Sequence, residues 1–289
     1  MTLQTSAAET YIPPRERSAV AQRVFIYVLL IAVSLLFLVP FVWTIATSFK
    51  TIPDSVNVNL IPHPWTTSAW HDIWTNYDFK LYIRNSLFLA VLITATNMLL
   101  AGLGGYSFAR LRFPGRELLF LLVLGTLMVP DQLRLIPVFV MLTNWHLING
   151  FSGYILISLV SATNLFFMRQ YFQTIPKDFE EAAKLDGAGY FKTFWRVMLP
   201  LAAPAIAALT ILQFQGTWND FFWPLILFGQ GNSHLYTVQL GLAELRFNYS
   251  TLWPQIMAGS VLAIAPILLI FVVFQRYFVS GVVSSGVKG

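Results

Sequence analysis

The stretch VFIYVLLIAVSLLFLVPFVWTIATSF, residues 24–49, runs for 26 residues without a charged side chain. At about 1.5 Å per residue a helix of this length covers roughly 39 Å, enough to cross a hydrocarbon core of about 30 Å with tilt or overhang. Five further predominantly apolar runs follow, at about 84–109, 117–142, 152–172, 201–228 and 253–278. The third contains Pro130 and Pro137. The expected fold is therefore all-α integral membrane with six transmembrane helices. Residues 1–23 form a polar N-terminal tail, 24–278 the transmembrane domain and 279–289 a C-terminal tail. The first run is too long for a cleaved signal peptide, whose apolar segment is roughly 7–15 residues.

Composition points the same way. Of 289 residues, 56% are hydrophobic and 11% charged, against about 25% charged in a soluble domain. There are 25 Phe and nine Trp, suited to lipid-facing and interfacial positions. The absence of cysteine excludes a disulfide framework, a thiolate nucleophile and a Cys-based metal site. The net charge of +5 does not call for nucleic acid, because the basic residues sit in loops between apolar runs. Arg15, Arg17, Arg23, Arg110, Arg112, Arg116, Arg169, Lys177, Lys184, Lys192, Arg196, Arg276 and Lys288, 13 of the 18, fall on the side of the N-terminus. Lys50, Lys80, Arg84, Arg134 and Arg246 fall on the other. The positive-inside rule places both termini and the segment 173–199 in the cytoplasm, and 50–82 and 229–251 outside.

The segment 173–199 is the most informative. Asp178 with Glu181 three residues later forms a box-like helix start. Glu180 to Leu185 are mostly good helix formers, and Gly187 is placed to end the helix with φ > 0. A second short helix, about 190–198, would carry Phe191, Phe194, Trp195 and Met198 at helical spacing, before Pro200 opens the next span. Spacing alone leaves two readings open: an interfacial loop with its aromatics among headgroups, or a docking element.

Glu181-Ala182-Ala183, three residues, Gly187, nine residues, then Val197-Met198-Leu199-Pro200 resembles the signature loop of permease subunits of binding-protein-dependent ABC importers. Val197 stands where the signature has Ile. Tyr106-Ser107-Phe108-Ala109-Arg110 with Phe113-Pro114-Gly115, Trp218-Asn219-Asp220-Phe221, and the ending Gln275-Arg276-Tyr277-Phe278-Val279 to Gly289 are similar to the sugar-transporter branch, and to the maltose-type permease without extra N-terminal helices. The resemblance covers roughly residues 20–289. It implies a type I importer fold in which 173–199 is a cytoplasmic coupling helix-turn-helix seated on an ATPase. The implied coupling residues are Glu181, Ala182, Ala183, Asp186, Gly187, Phe191, Trp195, Leu199 and Pro200. It implies a carbohydrate or related polyol substrate, a second homologous permease, two ATPase subunits and an extracytoplasmic binding protein, in a prokaryotic inner membrane. ATP and Mg would belong to the partner ATPase, since this chain has no G-x-x-x-x-G-K-[ST] phosphate loop. No cofactor, metal or catalytic residue is expected in the chain itself.

Within the spans, Asp220 lies four residues before Pro224, whose missing N–H leaves the Asp220 carbonyl without its helical partner. A charge at bilayer depth normally faces a cavity or a partner. Gln132, Trp218, Asn219 and Asp220 are thus candidates for the translocation path, against a structural hydrogen bond between helices. Asp131 and Arg134 are spaced to pair with each other. Ala101, Gly102, Gly104 and Gly105 form a small-residue surface for close helix packing. In the loop 229–251, Asn232, His234, Tyr236 and Gln239 are candidates for contact with the binding protein. His63, His71, His146 and His234 show no ligand spacing for zinc. Three rivals stand beside this reading: an ion-coupled secondary transporter, expected to show inverted repeats and several intramembrane charges; an intramembrane enzyme, which would need a nucleophile–base pair or metal ligands at membrane depth, none of which is evident; and an importer permease for a non-sugar solute.

Overall fold

A computed structural model describes residues 15–229, 231–248 and 252–286. Every regular element among them is helical. The helices are α1 Arg15–Thr47, α2 Ser68–Thr75, α3 Phe79–Arg110, α4 Arg116–Thr126, α5 Asp131–Asn144, α6 Phe151–Ser158 and α7 Ala162–Thr174. There follow α8 Asp178–Leu185, α9 Tyr190–Thr193, α10 Leu199–Leu201, α11 Ala203–Trp218, α12 Phe222–Phe228, α13 Val238–Asn248 and α14 Trp253–Gly286. Four spans are long and apolar enough to cross a membrane, and six if each of two bent pairs is one span.

The long central helix α3 packs against α7, α11 and α13, and α14 closes the other side against α11 and α1. Small residues on α3 permit the α7 contact. A Cβ added at Gly105 would lie 2.6 Å from the Met168 Cβ and 2.9 Å from the Arg169 backbone nitrogen, so only glycine fits. One apolar cluster gathers Leu89, Ile93, Phe214, Trp218, Phe228 and Ala263. A second, at the other end of α3, gathers Tyr106, Met168, Phe172, Phe194 and Met198. α1 has no buried residue within its apolar window and touches mainly α14; its apolar side chains face outward from this chain.

Several boundaries differ from the sequence reading. The predicted span 117–142 is two helices, α4 and α5, bent by 99°. Pro130 enforces the break, because it bars the α conformation at the residue before it and supplies no N–H. The predicted span 201–228 stops at Trp218, and α12 is separate. There the Asp220 carboxylate takes the N–H groups of Phe222 at 3.0 Å and Trp223 at 3.4 Å, capping α12 in place of continuing α11. The span predicted from 84 begins at Phe79, taking in Lys80 and Arg84. Charge marks where a helix leaves the membrane, not where it ends. For the same reason α1 starts inside the predicted tail, and α14 runs through 279–286. Residues 1–14 and 287–289 of the two tails lie outside the described residues. The predicted loop 229–251 contains α13, whose Val238, Leu240 and Leu245 are buried; residues 230 and 249–251 are outside the described set.

At one end of the bundle the polar stretch is ordered around Lys50. This cation is 1% exposed. Its Nζ donates to the carbonyls of Asn57, at 3.0 Å, and Asn59, and lies 4.9 Å from the Trp43 ring centroid. Asp54 accepts the His63 backbone N–H at 3.1 Å, a bond that holds its carboxyl below the usual carboxylate range. Gln255 of α14 donates to Asp72 of α2 at 3.0 Å. The segments 50–78 and 231–247 meet at this end, while 110–117 and 173–201 meet at the other.

Candidate functional site: an exposed elbow and a cleft at three helix breaks

The elbow is built by α8, α9 and the turns around them. The expected capping box does not form. α8 starts at Asp178 itself, with Lys177 before it and no side-chain cap, because Pro176 sets the first turn one residue earlier than the Asp178 cap requires. Asp178, Glu180 and Glu181 all sit in the first turn, where the helix dipole favours negative charge. The end of α8 is as expected. Gly187 has φ +74°. Its N–H donates to the Lys184 carbonyl at 3.0 Å, and the Ala188 N–H donates to Ala183 at 2.9 Å. These two bonds are a Schellman turn, which reverses the chain at a glycine in the left-handed region.

The second arm is not a plain α-helix. Phe194–Met198 forms a π-helical turn, with the Leu199 N–H donating to the Phe194 carbonyl. Pro200 explains it: a proline ring clashes with the carbonyl four residues back, here Arg196, and cannot accept the α register. The aromatics expected on one face are therefore divided. Phe194 and Met198 are buried against Tyr106 and Phe172. Phe191 is 71% exposed, and Tyr190 and Trp195 are also exposed. Glu181, Ala182, Asp186, Gly187 and Pro200 are exposed, Leu199 is half-buried, and Ala183 is buried against the chain itself. Leu185, at the corner, is 90% exposed.

Arg110, at the end of α3, ties the elbow to the bundle. Its guanidinium donates to the carbonyls of Phe172, at 2.6 Å, and Ile175, satisfying the end of α7. Its Nε lies 3.9 Å from the buried Glu180 carboxylate. Beside it, Arg169 donates to Glu117 at 3.0 Å and stacks over the Phe120 ring at 3.9 Å. These contacts join the elbow to α3, α7 and α4.

The cleft occupies about 790 Å³ where three interrupted helices meet: α4/α5 at Thr126 to Asp131, α6/α7 at Ser158 to Ala162, and the end of α11. Of the four predicted path residues, Asp220 alone lines it. Its carboxylate accepts the Tyr154 hydroxyl at 2.9 Å besides its two backbone N–H groups, so it ties α6 to the start of α12 at the cleft wall. Trp218 is 1% exposed; its Nε1 donates to the Ala263 carbonyl at 2.9 Å and its ring stacks on Phe214. It belongs to the core. Asn219 is exposed and accepts from Gln239 at 3.0 Å; Gln132 is exposed on α5, outside the cleft lining. The Asp131–Arg134 pair forms as expected and lines the mouth.

What the sequence reading overlooked is a chain of amides. Asn164 donates to Asn97 at 2.8 Å and to Gln213 at 2.7 Å, and Gln213 donates to Thr217 at 3.2 Å. Asn97, Gln213 and Thr217 line the cleft. The signal was present: Asn97, Asn164 and Gln213 each lie inside a different apolar run, where an unpaired polar group is costly.

At the opposite end, Asn232 and His234 are exposed, and Gln239 is half-buried. Tyr236 is buried beside Tyr82. Asn85 holds this segment by donating to the carbonyls of His234 at 2.8 Å and Tyr236 at 3.1 Å. Burial raises the Glu244 carboxyl above its ordinary range.

Residues 98–284 match the family described as binding-protein-dependent transport system inner membrane component. The chain belongs to that family. Among similar proteins, the arabinooligosaccharides transport system permease protein AraQ of Bacillus subtilis (strain 168) is 35% identical over 277 residues, 92% of this chain and 96% of the relative. The diacetylchitobiose uptake system permease protein NgcG of Streptomyces coelicolor is 33% identical, covering 90% and 87%. The sn-glycerol-3-phosphate transport system permease protein UgpE of Yersinia enterocolitica is 33% identical, covering 91% and 96%. A chain of a crystal structure of a bacterial ABC transporter involved in the import of the acidic polysaccharide alginate superposes with a TM-score of 0.77 at 26% identity, covering 92% of this chain and all of that one. This permease is thus a membrane-spanning subunit of an ABC importer, with the type I fold. The family sets aside the ion-coupled secondary transporter.

Proposed function

We propose that this permease forms half of a translocation pathway for a carbohydrate, and that the elbow 173–199 is the cytoplasmic element by which a separate ATPase drives it. The observation that carries the coupling role is the elbow's own geometry. Leu185, Tyr190, Phe191 and Trp195 are left facing solvent on a corner fixed by a Schellman turn and anchored by Phe194 and Met198. Exposed large apolar groups on a rigid, charged support mark a protein interface. The carbohydrate reading rests on relatives named for arabinooligosaccharides and diacetylchitobiose, and on a cleft whose amides and hydroxyls match sugar hydroxyls.

The complex then comprises this chain, a second permease, two ATPase subunits carrying ATP and Mg, and an extracytoplasmic binding protein facing Asn232, His234 and Gln239. Both termini are cytoplasmic, on the 13-to-five division of basic residues. The test is uptake into proteoliposomes holding the complete complex, with labelled neutral oligosaccharides outside and ATP within. ATP-dependent accumulation that requires the binding protein is expected. Accumulation driven by an ion gradient without ATP would overturn the proposal, and accumulation of a non-sugar solute alone would overturn its substrate class.

A further inference from the structure

Beneath the elbow lies a cavity of about 1030 Å³, bounded by the end of α3, the linker 111–115, α8 and α9. We propose that it is a binding site for the phosphate of an acidic phospholipid headgroup. The chemistry of its wall is the reason. Arg110, Arg112, Arg116, Lys177 and Lys184 line it, against Glu180 and Glu181. Arg110 is committed to Glu180 and to two carbonyls, and Arg116 to Glu117 and the Leu111 carbonyl. Lys184 lies over the Tyr190 ring, 5.8 Å from its centroid. Arg112 and Lys177 have no ion-pair partner among the described residues, so the cavity keeps uncompensated positive charge. Arg110 Nε and Glu180 Oε1, the ion pair 3.9 Å apart on its wall, are too far apart to hydrogen-bond each other and make no other hydrogen bond. This fixed polar floor would order a bound headgroup and its water.

The exposed apolar surface beside the cavity selects a lipid over free phosphate. The cavity sits at the short linker where α3 ends and α4 begins, at one end of the bundle. Arg112 and Phe113 of the linker, with Arg116 of α4, also border an adjoining cavity of about 490 Å³ that includes Leu118. From there Leu118, Leu121 and Leu122 continue outward along α4 as an exposed apolar face. A phosphate held at Arg112 and Lys177 would lay its acyl chains along that face. Basic pockets at the cytoplasmic ends of spans are the usual seat of anionic headgroups. The proposal does not depend on the elbow docking an ATPase, and its test involves none.

The experiment uses the full chain in nanodiscs of phosphatidylcholine with a trace of photoactivatable phosphatidylglycerol, mapping cross-linked peptides by mass spectrometry. Cross-links in 106–116 and 177–193 are expected, and R112Q with K177Q should reduce their yield. Each charge removed should cost about fivefold, on the order of 25-fold for the pair. Arg246, exposed near the other end, supplies the control: R246Q should leave the yield unchanged. Equal melting temperatures of both variants in phosphatidylcholine alone establish that they fold. Cross-links spread evenly over the spans, or unaffected by the paired substitution, would overturn the site. So would loss of the cross-link to competing inorganic phosphate at physiological concentration, which would make free phosphate the ligand.

Discussion

At Gly187 the demand on the residue is purely conformational. Its φ is +74° and a Cβ there would meet nothing within 4 Å. Gly187→Val therefore adds backbone strain without a clash, and a β-branched residue in the left-handed region costs about 1–3 kcal/mol. It should misdirect α9 and lower ATPase retention on co-purification, while insertion is unaffected. Gly187→Asn should retain most of the ATPase, because Asn tolerates this region. Equal losses in both would remove the conformational explanation. Tyr154→Phe probes the cleft: it deletes one of three donors to the Asp220 carboxylate, and should cost about 1–3 kcal/mol in thermal unfolding in detergent. Glu244 supplies the pH test. Its folded-state pKa is raised by burial, so its contribution to stability is full below the ordinary glutamate pKa and falls as pH rises through the raised value. Melting temperatures across that window should fall less for Glu244→Gln than for the native chain.

The elements show which features were legible in sequence and which were not. Each apolar run falls on a helix, or a bent helix pair, long and apolar enough to cross a membrane, because the bilayer sets length and composition. Breaks within a run were harder to see, since they depend on single side chains. Pro130 announced one. Asp220 made a second by bonding forward to Phe222 and Trp223, and Ser161 a third by accepting the Asn164 N–H at the start of α7, which a hydropathy window does not register. The Gly187 turn was legible because one residue type fits it. The π-helical turn at Phe194–Met198 was not, although Pro200 was in plain view. Pro200→Ala should let that turn relax towards α geometry and rotate Phe191 and Trp195 relative to Phe194. Cysteine cross-linking from position 191 to the ATPase would then weaken, while thermal stability changes little; an unchanged cross-link would show that the π turn does not set the orientation. At the opposite end, α13 buries Val238, Leu240 and Leu245, so deletion of 229–251 would damage the core. Substitution of exposed Asn232 and His234 is the cleaner probe of the binding-protein contact.

Across the whole molecule, two ends do different work around one cleft. One end is closed by ordered polar segments around Lys50, Asp54 and α13. The other presents the elbow, held to α3 and α7 through Arg110. Between them, the breaks at Pro130, Ser161 and Asp220 open polar backbone and side chains into the cleft, the arrangement a solute pathway through a bilayer requires. The apolar surface of α1 and the outer face of α4 face away from the rest of this chain. The chain contains no cysteine, so single cysteines report cleanly. The most direct measurement places one at Leu185, carrying a benzophenone photocross-linker, in membranes where the native complex is expressed. Irradiation should yield an adduct with a polypeptide that contains the G-x-x-x-x-G-K-[ST] phosphate loop, and a cysteine at Asn59 on the opposite end should yield none. An absent adduct at Leu185, or the same adduct from Asn59, would contradict the assignment of the elbow as the coupling element.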